Sequence, residues 1–270
     1  MTEPLDPERI AENVNPALRP VLRRVTVLQE VDSTNLELAR LPLPEQHAHA
    51  VLAEEQTGGR GRRQRSWHSP PGGNIYLSLG WQFRHDHPAL SNLPLVSAIC
   101  VVGALGGAGL DGHGIKWPND ILLNGKKLAG ILVELQSTGN GPANAVIGVG
   151  LNVRMPRSGQ DPGQVIDRPW TDLESNLPRD RKPADRNRLA SMLLDRLLAG
   201  LQRFEDSGFE SFRAAWNAYD LLQGREVRLE HQGRELSGTA CGIDEDGALL
   251  LQEPNGVIRA FHSGEVSVVL

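Results

Sequence analysis

Four arginines are threaded on three glycines in the run Gly58-Gly59-Arg60-Gly61-Arg62-Arg63-Gln64-Arg65-Ser66-Trp67. Glycine lets backbone approach a ligand closely, and each guanidinium presents a fixed fork of donors to phosphate or carboxylate oxygens. Such a loop is suited to closing over an anion. Taken alone it reads as well as a solvated basic loop or a nucleic-acid patch. The 270-residue chain carries a net charge of −5, so the loop is a local basic island, better matched to a small anionic ligand than to a nucleic acid or an anionic membrane. A second cluster is Lys116-Trp117-Pro118-Asn119-Asp120 with Lys126-Lys127-Leu128-Ala129-Gly130. It sets a carboxylate, an amide and lysines on either side of Asn124-Gly125, the strongest short hairpin signal. The plainer reading is a charged hairpin with an incidental proline.

Behind these residues, the pattern predicts strands at 25–29, 50–54 and 75–80, so that the arginine loop hangs between two strands. Thr34, with Glu37 three residues on, carries a capping-box signature and places Asp32-Ser33-Thr34-Asn35 at a strand-to-helix junction. A buried helix is expected over 93–105, strands at 121–123, 126–134 and 145–153, and an amphipathic helix along Leu189, Leu193, Leu197, Leu201 and Phe204. A second helix is expected over 209–218. Beyond Leu222, five short strand-like runs at 226–230, 234–243, 248–252, 257–262 and 265–269 imply a small β-barrel. The first twenty residues, with prolines at 4, 7, 16 and 20, read as an arm or short helix.

A hydrophobic content of 39% supports a sizeable core, and no run reaches the about 18 consecutive apolar residues of a membrane span. Met1-Thr2-Glu3-Pro4 does not open a signal peptide, which makes a cytoplasmic location the default. Cys100 and Cys241 lack metal-ligand spacing and read as buried thiols. His47, His49, His85 and His87 lack a matched third ligand and read as surface histidines. Gly107-Ala108-Gly109-Leu110-Asp111-Gly112 matches G-x-G-x-x-G but follows a helix-like segment, the wrong context for a dinucleotide site. There is no P-loop motif.

With these motifs together, the sequence resembles the biotin protein ligases. The family's G-R-G-R-x-x-R-x-W loop, K-W-P-N-D and K-L-A-G-I-L-V-E signatures stand here at 59–67, 116–120 and 127–134, in family order and spacing. Val31 to Asn35, Gln56, Ser69-Pro70, Gly72, Asn74-Ile75-Tyr76, Gly148 to Asn152 and Gly264 to Ser267 extend the likeness over roughly residues 23–268. The resemblance implies an α+β fold of the biotinyl/lipoyl ligase and class II synthetase type. Its parts would be an N-terminal arm over 1–20, a catalytic domain over 21–221 with a mixed β-sheet flanked by helices, and a small SH3-like β-barrel over 222–270.

The same resemblance implies a reaction with ATP, Mg2+ and biotin: biotinyl-5′-AMP forms, and biotin then passes to a lysine of a biotin carboxyl carrier protein, of acetyl-CoA carboxylase or another biotin-dependent carboxylase. Ser33, Thr34, Asn35 and Gln56 would hydrogen-bond the ureido ring. Gly59, Arg60, Gly61 and Arg62 would wrap the carboxylate, and Gly130, Gly148 and Gly150 would let backbone approach the ligand. Arg62, Arg65, Trp67, Asn119 and Asn152 would hold the nucleotide. Lys127 would be the catalytic centre, touching both biotin and ATP, with Arg62 and Asp120 beside it; Asp120 would hold Mg2+ or else orient the acceptor lysine. His68, Pro71 and Ser66 depart from the common family pattern. Twenty residues ahead of the core are too few for the winged helix-turn-helix of repressor members, so the ligase-only type is expected, without DNA or membrane binding; the pattern leaves room for a homodimer. A lipoate-type ligase and a non-catalytic biotin sensor are the alternatives.

Overall fold

A computed structural model describes residues 3–84, 89–136, 142–156, 166, 168–177 and 185–269. Its centre is a seven-stranded mixed sheet built from β1 (Arg24–Val31), β2 (His49–Gln56), β3 (Ile75–Gln82), β4 (His113–Lys116), β5 (Asp120–Leu123), β6 (Lys126–Gln136) and β7 (Asn144–Leu151). The spatial order is β1-β2-β3-β7-β6-β5-β4. A short helix, α1 (Pro7–Asn13), precedes the sheet. Only the β1–β2 pair is parallel, and its connection holds two more short helices, α2 (Thr34–Arg40) and α3 (Leu43–Gln46). The β5–β6 hairpin turns at Asn124 and Gly125, whose φ values of 51° and 73° are those of the two-residue turn that matches strand twist.

On one face of the sheet lies α4 (Leu93–Gly107), almost wholly buried because α5 (Arg186–Ser207) covers its other side. Leu189, Leu193, Leu197 and Leu201 recur every four residues and are all buried, so a single stripe of α5 faces the core. Asp185 caps the helix by accepting from the Asn187 and Arg188 amides, and Gly208, with φ 66°, ends it. After a 3-10 turn and α6 (Arg213–Tyr219), the chain enters a five-stranded antiparallel sheet of β8 (Glu226–His231), β9 (Arg234–Ile243), β10 (Leu249–Gln252), β11 (Ile258–Phe261) and β12 (Glu265–Val268). Its apolar residues Val227, Leu229, Leu249, Leu251 and Val266 join the same core cluster as the large sheet. The buried Trp117 indole donates to the Gly247 carbonyl at 3.1 Å, tying the two sheets together.

Several expectations need correction. The first helical residue of α2 is Thr34, with Ser33 as the N-cap and no side-chain cap bond. The Thr34 hydroxyl turns to Gln56 instead, and Glu37 pairs with Arg40, so no capping box forms. The N-terminal stretch forms a short helix, as one of its two readings had it, and packs on the core with Leu5, Ile10 and Val14 buried. The buried Arg186 fixes it, donating to both carboxylate oxygens of Glu54 at 2.7 and 3.1 Å and to the Glu3 carbonyl at 2.8 Å. Removing either charge would strand the other, at about 3–5 kcal/mol. His49 is buried and His47 half-buried against Trp81, so neither is a surface histidine; His85 and His87 lie outside the described residues. Cys100 is buried, its thiol pushed up to about 12 by burial, whereas Cys241 is only half-buried. Gly107 to Gly112 form the turn from α4 into β4, with Gly109 and Gly112 at positive φ.

Candidate active site

Directly paired residues on neighbouring strands share a face of a sheet, and one such row here runs through Tyr76, Gly150, Gly130, Asp120 and Lys116. The adjacent row runs through Ser78, Gly148 and Leu132. Three side-chain-free positions in the middle of a sheet open a trough where a large residue would close it. The N-terminus of α2 roofs one end, the arginine loop the other, and together they bound a cavity of about 540 Å³. A Cβ on Gly148 would collide with the Asn35 amide oxygen, and one on Gly150 would come within 2.5 Å of the Trp67 ring.

The α2 end is a bonded polar network. Thr34 donates its amide (2.9 Å) and hydroxyl (3.1 Å) to Gln56 Oε1, while Gln56 Nε2 donates to Ser69 Oγ at 2.9 Å. Ser78 Oγ lies 2.6 Å from Asn35 Oδ1, to which it donates, and 2.8 Å from Thr34 Oγ1. The Asn35 Nδ2 group donates to Glu134 Oε2 at 2.7 Å. Ser33, Thr34 and Asn35 are each no more than 4% exposed, and the bonds of Thr34 and Asn35 fix those two before any ligand arrives.

The loop end is charged. Residues 59–67 close as a narrow hairpin, with Trp67 donating its amide to the Gly59 carbonyl and Gly61 donating to that of Arg65. Its tip holds Arg63 and Gln64 in left-handed backbone conformation, at φ 55° and 61°. Arg60 pairs with Glu134 at 3.2 Å. Arg65 grips Glu265 of β12 in a two-pronged bond of 2.5 and 2.6 Å, and Arg63 and Arg168 reach the same carboxylate. Among the described residues Arg62 makes no ion pair; it donates to Asn119 Oδ1 at 3.2 Å. Burial pulls its guanidinium below the ordinary value, Arg63 adds to this, and Asp120 and Glu265 oppose it.

Between the two ends, Lys127 Nζ sits 2.7 Å from Asp120 Oδ1 and 5.1 Å from the centre of the Trp67 ring. The Lys127 backbone is strapped on both sides, its amide donating to Pro169 and its carbonyl accepting from Thr171, which brings Trp170 to the wall. Asn152 holds the same strap through Thr171 O at 3.0 Å. Asp120 is 7% exposed and lies between Lys127 and Lys116, the latter at 3.6 Å. A carboxylate held by two ammonium groups is a poor magnesium ligand. Among the described residues no three His, Cys, Asp or Glu side chains cluster into an all-protein metal cage, so a Mg2+ here would depend on the nucleotide phosphates for most of its ligands.

Of the residues singled out in the sequence, all but Gly59 line this cavity. Gly59, at the base of the hairpin, is not in the lining; a Cβ there would strike the Trp67 carbonyl and the Ser69 hydroxyl. Trp67 rests on Gly130 and Gly150, its indole N–H buried and unbonded among the described residues. Ser78, Lys116, Glu134, Arg168, Trp170 and Glu265 belong to the cavity wall or its bonds and were assigned no role in the site. Lys116, Glu134 and Glu265 stand inside recognisable motifs; nothing in the sequence marks Arg168 or Trp170.

The Biotin/lipoate A/B protein ligase family profile matches residues 27–152, and the biotin protein ligase C-terminal domain profile matches 223–269. The chain is 39% identical over 247 residues to the bifunctional ligase/repressor BirA of Escherichia coli, covering 90% of this chain and 74% of that protein. The chain belongs to the biotin protein ligases. It is 35% identical to the biotin–[acetyl-CoA-carboxylase] ligase of Paracoccus denitrificans, over 85% of this chain and 95% of the relative. The biotin protein ligase of Aquifex aeolicus, solved in complex with biotin and ATP, superposes with a TM-score of 0.75 at 29% identity, over 91% of this chain and 98% of that one. The ligase fold and the C-terminal β-domain are thus those the sequence resemblance implied.

Proposed function

We infer that this ligase joins biotin to ATP as biotinyl-5′-AMP and then transfers biotin to a carrier protein of a biotin-dependent carboxylase. The observation that carries this reading is a single cavity whose neutral, pre-bonded end meets a cationic end at Lys127. A ureido ring is neutral and offers both donors and acceptors, which suits Ser33, Thr34, Asn35 and Gln56. A carboxylate and a triphosphate suit Arg60, Arg62 and Arg65.

In the first step a biotin carboxylate oxygen attacks the α-phosphorus, the bond to the β-phosphate breaks and pyrophosphate leaves. Negative charge builds on the oxygens between the reactants, where the Lys127 ammonium, close beside Gly130, compensates it. To reach them Lys127 must leave Asp120. Mg2+ enters with ATP as part of that substrate. In the second step the acceptor amine attacks the anhydride carbonyl, the bond to phosphate breaks, AMP leaves and the amine sheds its proton. Asp120, no longer bound by Lys127, is a carboxylate in the cavity wall that can receive it. Asn119, bonded to Arg62, and Asn152, bonded to the 169–171 strap, would flank the nucleotide.

We further assign residues 21–221 to the catalytic part and 222–270 to a domain that closes the phosphate end through Glu265 and Val266, with residues 1–20 as an arm whose Leu5, Ile10 and Val14 pack on the core. The reaction belongs to the cytoplasm, where ATP and newly made carrier protein meet. Intact-mass analysis of a biotin carrier domain incubated with the ligase, MgATP and either biotin or lipoate tests the reading. A gain the size of biotinyl that requires both ATP and biotin is expected. Transfer of lipoate would replace the substrate assignment, and an unmodified competent carrier would make the protein a biotin sensor.

A further inference from the structure

We propose that Lys116 is a positioning residue for the adenylation step: it holds Asp120 in place while Lys127 turns to the reacting oxygens, and it is itself held by the C-terminal domain. The proposal rests on the ligase reading above. Its starting point is sheet register. Lys116 on β4 is the direct cross-strand partner of Asp120 on β5, so the two side chains emerge on the same face. Lys116 Nζ lies 3.6 Å from Asp120 Oδ2, on the oxygen opposite the one that Lys127 holds at 2.7 Å. The same ammonium donates to the Val266 carbonyl of β12 at 3.2 Å. Trp117, the next residue, is buried and bonded to Gly247 of the same domain. Lys116 and Trp117 thus tie the K-W-P-N-D motif, all of which lines the cavity, to the C-terminal domain.

Asp120 is almost fully buried, and an ionised carboxylate there needs a counter-charge. With Lys127 on Asp120 the need is met twice; once Lys127 moves to the carboxylate–phosphate junction, Lys116 is the remaining lysine in reach. Without Lys116, Asp120 would retain Lys127 as its sole lysine partner and oppose the movement that adenylation requires. Lys116 also lines the cavity, but its bond to the Val266 carbonyl holds the ammonium against β12, so an effect on the rate with KM for ATP unchanged is one that passes through Asp120.

Pre-steady-state release of pyrophosphate from biotin and MgATP tests this, with biotin affinity by calorimetry and thermal melting as controls for the fold. Lys116→Met is expected to slow the adenylation rate constant about 10–100-fold while leaving KM for ATP and Kd for biotin within about twofold, and Lys116→Arg to restore most of the rate. In an Asp120→Asn background, removing Lys116 should change the rate less than about twofold, because the two residues act as one unit. Multiplicative losses in the double variant, or a loss confined to KM for ATP, would overturn the proposal. If wild type forms no adenylate, or Asp120→Asn keeps the full rate, the underlying assignment fails instead. A Lys116→Met protein that melts early or loses biotin binding would show a merely structural role, also against the proposal.

Discussion

At the α2 end of the cavity Thr34, Gln56, Ser69 and Ser78 satisfy one another through neutral hydrogen bonds, whereas at the loop end Arg60, Arg63, Arg65 and Lys127 rest on carboxylates. A neutral ligand is met by dipoles already fixed in place, so binding there costs little reorganisation. An anionic ligand is met by cations that are already occupied, so binding there is an exchange of counter-ions. The first end recognises shape; the second responds to charge, and it is assembled from both parts of the molecule, because Glu230 and Glu265 belong to the C-terminal domain.

The largest expected effect breaks the junction. Lys127→Ala should slow pyrophosphate release by about 10³-fold, a magnitude typical of losing a group that stabilises transition-state charge. Biotin affinity should change far less, and a rate within a few-fold of wild type would displace Lys127 from the centre. Next comes the preformed end: Gly148→Ala pushes a methyl group into the Asn35 amide, and calorimetry should show biotin bound about 10–100-fold more weakly, the equivalent of one or two hydrogen bonds. Unchanged affinity would mean that the trough is wider than the ligand needs.

At the charged end, Glu265→Gln frees three arginines from one carboxylate. KM for ATP should fall several-fold at low ionic strength and the gain should shrink as salt screens it; a rise would make Glu265 a strut and not a counter-ion. The smallest effect lies outside the cavity. His49 sits buried between the Glu45 carbonyl and the Thr26 hydroxyl, and burial, with Arg24, holds its pKa below the ordinary 6.5. The unfolded chain therefore binds the proton first, so stability is present above the unfolded value and declines as pH falls through it. Melting curves between neutral and mildly acidic pH should show this decline, reduced in His49→Gln.

How legible this was from sequence follows the same division. The strands that carry the trough, the Asn124-Gly125 turn and the glycines themselves are local features, and local patterns report them. The neutral network was mostly visible too, since Ser33, Thr34, Asn35 and Gln56 sit in two short motifs. The counter-ions were not. Arg65 and Glu265 are 200 positions apart, and Asn35 and Glu134 are 99 apart, so their pairing exists only once the topology brings them together. Trp67 shows the limit in another way: motif placement named it, but its position over Gly130 and Gly150 depends on how the empty trough packs.

The bond between Arg186 and Glu54 has a consequence for synthesis. As the chain leaves the ribosome, β2 and the first helix emerge early, but the cation that fastens them is 132 residues downstream. Until it arrives, Glu54 has to stay hydrated and the N-terminal segment lacks this tie, so the chain's beginning is fastened only after α5 has been made.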